Sequence, residues 1–100
     1  MDTSIKQLEM TAELLKAIGH PVRLCIVKRL VQQGNCNVTV IQDCMGLPQS
    51  TVSTHLQKLR AAGIVSTHRR GLEVIYSLRN EQMKRVIEIL FPTTEENHHE

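Results

Sequence analysis

The spacing of the apolar residues changes at Gly63, and this change limits the folds that the chain can adopt. Over residues 49–59, apolar side chains recur at i, i+4 and i+7, the spacing of a helix with one buried face. After Gly63, residues 64–68 and 72–78 are rich in β-branched side chains, and the basic stretch 69–71 joins them. This pattern predicts a β-hairpin. The chain therefore combines helices with a small sheet.

Helical spacing recurs along the rest of the chain, and glycine or proline separates most of the helices. The predicted helices are residues 3–18, 21–33, 38–45, 49–62 and 81–91. Gly19 and Gly34 end the first two, and Pro21 suits a first helical turn, where its missing N–H loses no hydrogen bond. The pattern predicts a mainly α chain with a small β-hairpin, an α+β architecture of four helices, the hairpin and a fifth helix.

Length and composition indicate one domain with a thin core. Residues 1–91 are predicted to fold as one unit, and the polar segment 92–100 is predicted to be a disordered tail. Hydrophobic residues make up 41% of the chain and aromatic residues only 2%, which favours packed helices. The first helix is apolar on two sides, so it has to bury both, either within the fold or against a second subunit.

The cysteine count and the start of the chain indicate a cytoplasmic protein. Three cysteines, an odd number, argue against a disulfide scaffold. The polar, acidic start does not resemble a signal peptide, and no apolar run approaches the roughly 18–20 residues of a membrane span. We therefore expect no membrane partner.

The charges are unevenly distributed along the chain. Residues 49–79 contain five basic residues and one acidic residue, whereas the remainder contains seven basic and nine acidic residues. A positive half on a chain whose net charge is only +2 is compatible with binding to a polyanion. It is equally compatible with an ordinary solvated surface.

The helix predicted from residue 49 exposes hydrogen-bonding side chains in place of the usual mixture of lysine and glutamate. These side chains are Gln49, Ser50, Thr51, Ser53, Thr54, His55 and Lys58. A short helix, a glycine-containing turn and a polar helix form a helix-turn-helix pattern, in which the second helix enters the major groove. The hairpin that follows places Arg69 and Arg70 where a wing meets phosphate or the minor groove.

Three segments resemble a known family. Residues 19–24, Gly-His-Pro-Val-Arg-Leu, resemble the opening of the second helix in the ArsR/SmtB family of winged-helix repressors. Residues 47–65 resemble the recognition helix of that family and its first strand, and residues 70–78 are similar to its wing. The resemblance spans residues 5–91 and implies a winged helix-turn-helix that binds double-stranded operator DNA.

The resemblance also assigns roles to the polar residues named above. The side chains expected to approach bases or nearby phosphates are Gln49, Ser50, Thr51, Ser53, Thr54 and His55. Lys58, Arg69 and Arg70 are expected to contact the DNA backbone. For Ser53 and His55, hydrogen bonding within the helix is an alternative.

The family resemblance implies a homodimer through the first and last helices, which agrees with the two apolar sides of the first helix. The side chains expected at this interface are Ile5, Leu8, Leu15, Val86, Ile87 and Leu90. A two-fold dimer of this kind holds its recognition helices about 34 Å apart, which predicts an inverted-repeat operator with half-sites about one turn apart.

The metal sites of related proteins are not matched. Metal-sensing relatives carry Cys-x-Cys at positions that correspond to Asn37 and Thr39, which are poor ligands for soft metals. Other relatives bind zinc through histidines of the last helix, and residues 81–91 contain none. We therefore expect no metal site and no cofactor.

The cysteines leave one redox hypothesis open. If the residues between Cys36 and Cys44 are helical, the two are about 12 Å apart, which is too far for a disulfide. A thiol switch therefore has to pair Cys25 with Cys36 or with Cys44. The alternative is that each cysteine is a small, half-buried apolar residue.

Taken together, the sequence favours a sequence-specific repressor of transcription that binds DNA as a homodimer. A protein-interaction module with the same fold, such as an anti-repressor, is the alternative, and the basic residues Lys58, Arg60, Arg69 and Arg70 argue against it. A thiol-responsive repressor is the third hypothesis. We expect no enzymatic activity because no nucleophile or metal motif is recognisable.

Overall fold

The computed structural model describes residues 2–43 and 46–93, and the predicted element order is confirmed. The helices are α1 (Asp2–Ile18), α2 (Pro21–Gln33), α3 (Val38–Gln42), α4 (Gln49–Ala61) and α5 (Glu81–Leu90), and the strands are β1 (Cys36–Asn37), β2 (Val65–Arg70) and β3 (Glu73–Leu78). None of these helices is both long enough and apolar enough to span a membrane. Most of the predicted tail, residues 94–100, lies outside the described residues.

The sheet has three antiparallel strands in the order β1-β3-β2, one strand more than the predicted hairpin. β1 pairs with β3 through Cys36 opposite Tyr76 and Asn37 opposite Ile75. A strand of two residues is too short to show the alternation of apolar and polar side chains by which strands are predicted. β1 holds the segment before α3 directly against the hairpin.

The turn of the hairpin lies further along the chain than residues 69–71, where the sequence places it. Arg69 and Arg70 are the last residues of β2, and the two turn residues are Gly71 and Leu72. Gly71 has a φ of +65°, and no residue other than glycine has a positive φ in the described chain. A positive φ at the first turn position alone indicates a type II′ turn, for which glycine is the favoured residue.

One apolar core joins the five helices to the sheet. Its members are Ile18, Val22, Ile26, Val27, Leu30, Ile41, Val52, Leu56, Leu59, Ile64, Val65, Met83 and Ile87. Val52, Leu56 and Leu59 are the stripe predicted for the polar helix, and all three are buried. Because this stripe fixes one face of α4 to the core, the opposite face of α4 is turned to solvent.

Side-chain caps fix the N-termini of three helices. Nδ1 of His20 accepts a hydrogen bond of 3.1 Å from the backbone N–H of Val22 at the start of α2. Oδ1 of Asn37 caps α3 in the same way by accepting from the N–H of Val40, and Oδ1 of Asn80 caps α5 by accepting from the N–H of Met83. α3 ends at Gln42 rather than near residue 45, and residues 44 and 45 lie outside the described residues.

The expectation that Ile87 lies at the subunit interface is wrong. Its side chain is 0% exposed and packs with Met83 in the core of its own protomer. Residues four apart lie on the same face of a helix, so the stripe that contains Ile87 faces inward. Val86 is half-buried against the same core, while Ile89 and Leu90 are exposed.

Apart from the half-buried Val86, the other expected interface residues are exposed on the single protomer. α1 and α5 carry most of the large apolar side chains that the structure leaves in solvent: Ile5, Leu8, Met10, Leu15, Ile89 and Leu90. Clustered exposed apolar residues of this size indicate a surface that another chain covers. The interface residues themselves remain a prediction, since only one protomer is described.

Candidate nucleic-acid interface

The solvent face of α4 carries the predicted polar residues. Of these, Gln49, Ser50, Thr54 and Lys58 are exposed, and Thr51, Ser53 and His55 are half-buried. The buried stripe on the other side of the helix fixes its position against α2 and α3. The side chains therefore extend from a rigid element, which is what reading of base edges requires.

The N-terminus of α4 is the one helix start from α2 onward that has no side-chain cap. Pro48 precedes the helix, and its carbonyl accepts hydrogen bonds from the N–H groups of Thr51 and Val52 at 3.1 and 3.2 Å. The N–H groups of Gln49 and Ser50 point out of the helix end, where the helix dipole is positive. Such a terminus suits a phosphate oxygen.

Hydrogen bonding within α4 occurs at Thr54, not at Ser53 or His55, where it was the alternative interpretation. The hydroxyl of Thr54 donates to the carbonyl of Ser50 at 3.0 Å. The hydroxyl oxygen can still accept a hydrogen bond, for example from the amino group of adenine or cytosine.

His55 bonds across helices and belongs to a cluster at the start of α2. Its Nδ1 lies 3.1 Å from a terminal guanidinium nitrogen of Arg23. Its ring centroid lies 4.4 Å from that of His20, with the two planes inclined by 40°. Because a guanidinium only donates, Nδ1 of His55 accepts, and the imidazole is neutral with its proton on Nε2.

Arg23 also connects this cluster to α1. Its Nε donates to the backbone carbonyl of Ala17, in the last turn of α1. One side chain thus contacts the end of α1 and the middle of α4 while it belongs to α2. Sequence reasoning did not assign this role to Arg23, although the residue lies in the segment 19–24 that carries the family resemblance.

The surroundings of His55 lower its pKa. Desolvation by partial burial is the largest cause, followed by the charges of His20, Arg23 and Lys58. Each of these causes disfavours the imidazolium, so they all act in the direction of the neutral ring that accepts from Arg23. The hydrogen-bond donor that His55 can offer to an external acceptor is therefore its Nε2–H.

The wing, defined as residues 65–78, ends in exposed charged residues. Arg69 and Arg70 are exposed, and Arg70 lies opposite Glu73 in the β-ladder. Glu73 accepts a hydrogen bond of 2.9 Å from the side-chain amide of Asn37. Neither arginine has an ion pair among the described residues, so both guanidinium groups are available to an external anion.

Asn37 links α3 to the wing with both ends of its side-chain amide. Its oxygen caps α3 through the N–H of Val40, and its nitrogen donates to Glu73 of β3. The family resemblance places Asn37 and Thr39 at the positions of the metal ligands in metal-sensing relatives. In the described part of the chain, no three His, Cys, Asp or Glu residues lie close enough together to hold a metal ion.

The structure describes two of the three cysteines. Cys25 is disulfide-bonded and Cys36 is a free thiol, so the hypothesis that these two pair with each other is wrong for this state. Cys44, the other partner considered, lies outside the described residues. Burial raises the pKa of the Cys36 thiol, and the positive charge of Arg29 only partly opposes this effect, so Cys36 is a poor nucleophile.

Comparison with known proteins places the chain among regulators of transcription. A family model described as a helix-turn-helix domain matches residues 18–68. The transcriptional repressor PagR of Bacillus anthracis is 46% identical over 85 residues, which cover 85% of this chain and 85% of PagR. The crystal structure of PagR matches with a TM-score of 0.79 at 44% identity and covers 86% of this chain and 98% of its own.

Two further matches bear the names SmtB and ArsR, and one of these two proteins is described as a homodimer. The HTH-type transcriptional repressor SmtB of Mycobacterium tuberculosis is 39% identical over 80 residues, which cover 80% of this chain and 58% of SmtB. The homodimeric winged helix-turn-helix DNA-binding domain of Mb0332 from Mycobacterium bovis is described as a possible ArsR-family regulator. Its solution structure matches with a TM-score of 0.78 at 28% identity over 100% of this chain and 94% of that fragment.

Proposed function

Because the chain belongs to the ArsR/SmtB family of winged helix-turn-helix transcriptional regulators, we propose that it represses transcription by binding operator DNA as a homodimer. One observation carries the proposal: α4 is fixed to the core by its apolar stripe and turns an uncapped N-terminus and a hydrogen-bonding face to solvent. We place this regulator in the cytoplasm and expect it to act by binding rather than by catalysis.

We assign base reading to the first two turns of α4. Gln49 presents an amide that can bond in a bidentate manner to adenine, and Ser50 and Ser53 present hydroxyls that both donate and accept. The uncapped N–H groups of the same turn bind a flanking phosphate and so fix the helix in the groove. Thr51 and Thr54 complete the face that approaches the bases.

We assign the phosphate contacts to the basic residues around this face. Lys58 is exposed two turns further along α4, and Arg69 and Arg70 are exposed on the wing. Each cation that replaces condensed counterions on the duplex adds affinity that falls with salt and does not depend on sequence. The operator affinity is therefore expected to decrease steeply as the salt concentration rises.

We assign dimerisation to the apolar surface of α1 and α5. The exposed residues Leu8 and Leu90 belong to this surface, and the Mb0332 domain, which has the same fold, is described as homodimeric. Two copies related by a two-fold axis present two α4 helices to successive major grooves, and the operator is then an inverted repeat.

Selection of fragments from the genome of the source organism by the purified protein, followed by footprinting, tests this function. On the selected operator, the paired change Arg69→Ala and Arg70→Ala removes two phosphate contacts from each of two protomers. It should therefore weaken binding to all duplexes and reduce the salt slope by about 4. Gln49→Ala should instead lower the ratio of the affinity for operator DNA to the affinity for random DNA by roughly tenfold. Lys84→Ala, which removes an exposed cation outside α4 and the wing and not in line with Ile89, is the matched control for loss of charge.

Retention of no fragment at low salt would contradict the function and favour the protein-interaction module. If both the double arginine variant and Gln49→Ala bound the operator within about twofold of the wild type, the assignment of the site would be wrong. These two outcomes separate a failure of the function from a failure of the residue roles.

The disulfide at Cys25 favours a second, regulatory aspect: a thiol-responsive repressor. Cys25 lies on α2, which packs against α4, so formation or loss of the bond acts on the helix that positions the reading face. Diamide accepts the two electrons and two protons that two thiols release on forming a disulfide. Reduced and diamide-treated protein should differ at least fivefold in operator affinity.

Matched cysteine variants test the redox hypothesis. Cys25→Ser should abolish the difference between reduced and oxidised protein, and Cys36→Ser should preserve it, because Cys36 is a free thiol in the structure. Equal operator affinity of the wild type in both states would contradict a thiol response and leave a constitutive repressor.

A further inference from the structure

Leu72 is the most exposed of the large apolar side chains in the described chain. It is 98% exposed, compared with 78% for Ile89, the next in order. It occupies the second position of the turn between Arg70 and Glu73, at the tip of the wing. A side chain with this exposure adds nothing measurable to the core, so the stability of the protomer does not explain it.

The turn itself does not require leucine. In a type II′ turn the glycine at the first position supplies the positive φ, and a small polar residue such as Asn or Ser is suited to the second. Leu72 is also separate from the apolar surface of α1 and α5, since it lies at the end of the hairpin. The position therefore carries an apolar group that neither local structure nor the core uses.

The charges around Leu72 indicate the kind of partner. Arg69 and Arg70 precede it, and both are exposed without an ion pair among the described residues. The single acidic residue near the tip, Glu73, is held by the amide of Asn37 at 2.9 Å. An apolar tip next to two cations complements a surface that combines phosphates with an apolar interior.

We propose that Leu72 enters the minor groove of the operator as an apolar wedge, while Arg69 and Arg70 contact the phosphates on its rim. The walls of this groove are deoxyribose C–H groups, and its floor at A·T pairs lacks the amino group that guanine adds. Apolar side chains are known to act in this groove by contacting or partly separating base steps. This inference rests on the proposed function and adds a preference for A·T pairs beneath the wing.

Substitutions at Leu72 separate an apolar contact from an electrostatic one. Leu72→Ala and Leu72→Asn should lower operator affinity by roughly five- to twentyfold, with the salt slope unchanged, because no phosphate contact is lost. Leu72→Met, which keeps an apolar side chain of similar size, should bind within about twofold of the wild type. All three variants should unfold at the temperature of the wild type, since the side chain is exposed.

A modified operator tests which groove is involved. Replacing adenine by 2,6-diaminopurine beneath the wing adds an amino group to the minor groove and leaves the hydrogen-bonding pattern of the major groove unchanged. Wild-type protein should lose about as much affinity on this operator as Leu72→Ala loses on the unmodified one. Leu72→Ala should show little further loss.

Three outcomes would overturn the inference. They are an affinity of Leu72→Ala within about twofold of the wild type, a reduced salt slope for that variant, and an unchanged affinity of wild-type protein for the modified operator. Self-association of the wild type that Leu72→Ala removes, with DNA binding intact, would also overturn it and assign the tip to a second copy of the chain. In each case Gln49→Ala and the arginine variants still report on the proposed function separately.

Discussion

At the scale of single residues, Arg23 determines how the reading face is held. It contacts the carbonyl of Ala17 in α1 and Nδ1 of His55 in α4, so it joins the helix that is expected at the dimer interface to the helix that is expected in the major groove. The ring of His20 also packs against the ring of His55, with the two centroids 4.4 Å apart. The position of α4 therefore depends on a polar contact as well as on the apolar core.

A double-mutant cycle measures this contact. Arg23→Ala and His55→Ala should be coupled by about 1 kcal/mol in the free energy of unfolding, since each removes the same hydrogen bond. Arg60→Ala, which removes an exposed cation from the same helix, should combine additively with His55→Ala. Additivity within about 0.3 kcal/mol for Arg23 and His55 would contradict the contact.

The lowered pKa of His55 predicts how stability depends on pH. An imidazole whose pKa in the folded state lies below the ordinary value of 6.5 binds its proton better in the unfolded chain. Its contribution to stability is therefore complete above about pH 6.5 and is lost as the pH falls towards the lowered pKa. His55→Gln should lose less stability than the wild type on acidification from about pH 7.5 to pH 5.5, as measured by thermal unfolding. A larger loss in the variant would contradict this sign.

Sequence reasoning succeeds at this scale for the apolar residues and fails for the polar contacts. Helical spacing identified Val52 and Leu56 because burial repeats with the helix period, and both are buried. The bond between Arg23 and His55 joins residues 32 positions apart. Whether it forms depends on the angle at which α2 and α4 pack, which no local pattern encodes.

At the scale of secondary-structure elements, Asn37 couples the helix-turn-helix to the wing. Its side chain caps α3 and holds Glu73 of β3, so the start of β3, next to the tip of the wing, is tied to α3. The pairing of β1 with β3 also holds the segment before α3 against the wing. The wing therefore has a defined position relative to α4 before DNA binds.

Asn37→Asp should break one of these two functions and keep the other. The carboxylate can still cap α3, but it faces Glu73 without a hydrogen to donate, and unfolding should become easier by about 1 kcal/mol. Adding Glu73→Gln restores a donor and should recover the loss, while Glu73→Gln alone should have little effect. Equal stability of Asn37→Asp and the wild type in denaturant titration would show that the link is unimportant.

The elements themselves were largely predictable, with informative exceptions. The five helices and the hairpin could be predicted because their apolar residues repeat with the spacing of a helix or a strand. β1 has two residues and forms only because Tyr76 and Ile75 of β3 offer it a partner. The turn lies at Gly71 and Leu72 because glycine supplies the positive φ, a requirement that ranks above the basic composition of residues 69–71.

At the scale of the whole molecule, the single protomer leaves an apolar surface on α1 and α5 that a second copy is proposed to cover. Leu8→Glu should convert the dimer to a monomer with its helical content retained, as measured by sedimentation and circular dichroism. Ile87→Ala should instead lower the free energy of unfolding by about 2–5 kcal/mol, because it leaves a cavity in the core of one protomer. If Ile87→Ala produced a monomer without loss of stability, the assignment of Leu8 to the interface and Ile87 to the core would be contradicted.

The error at Ile87 has a simple physical origin. A single helix with apolar residues on more than one face, as in α5, does not reveal which face its own protomer covers. Only the packing of α5 on α2 shows that Met83 and Ile87 turn inward and that Ile89 and Leu90 remain outside.

The central claim is that two copies of the chain hold their α4 helices in successive major grooves. Its most direct test is a titration of the footprinted operator, together with versions in which the half-sites are moved apart by about five base pairs, half a helical turn. We predict two protomers per operator and an affinity that drops to the level of random DNA in the spaced version. One protomer per operator, or equal affinity at both spacings, would contradict the account.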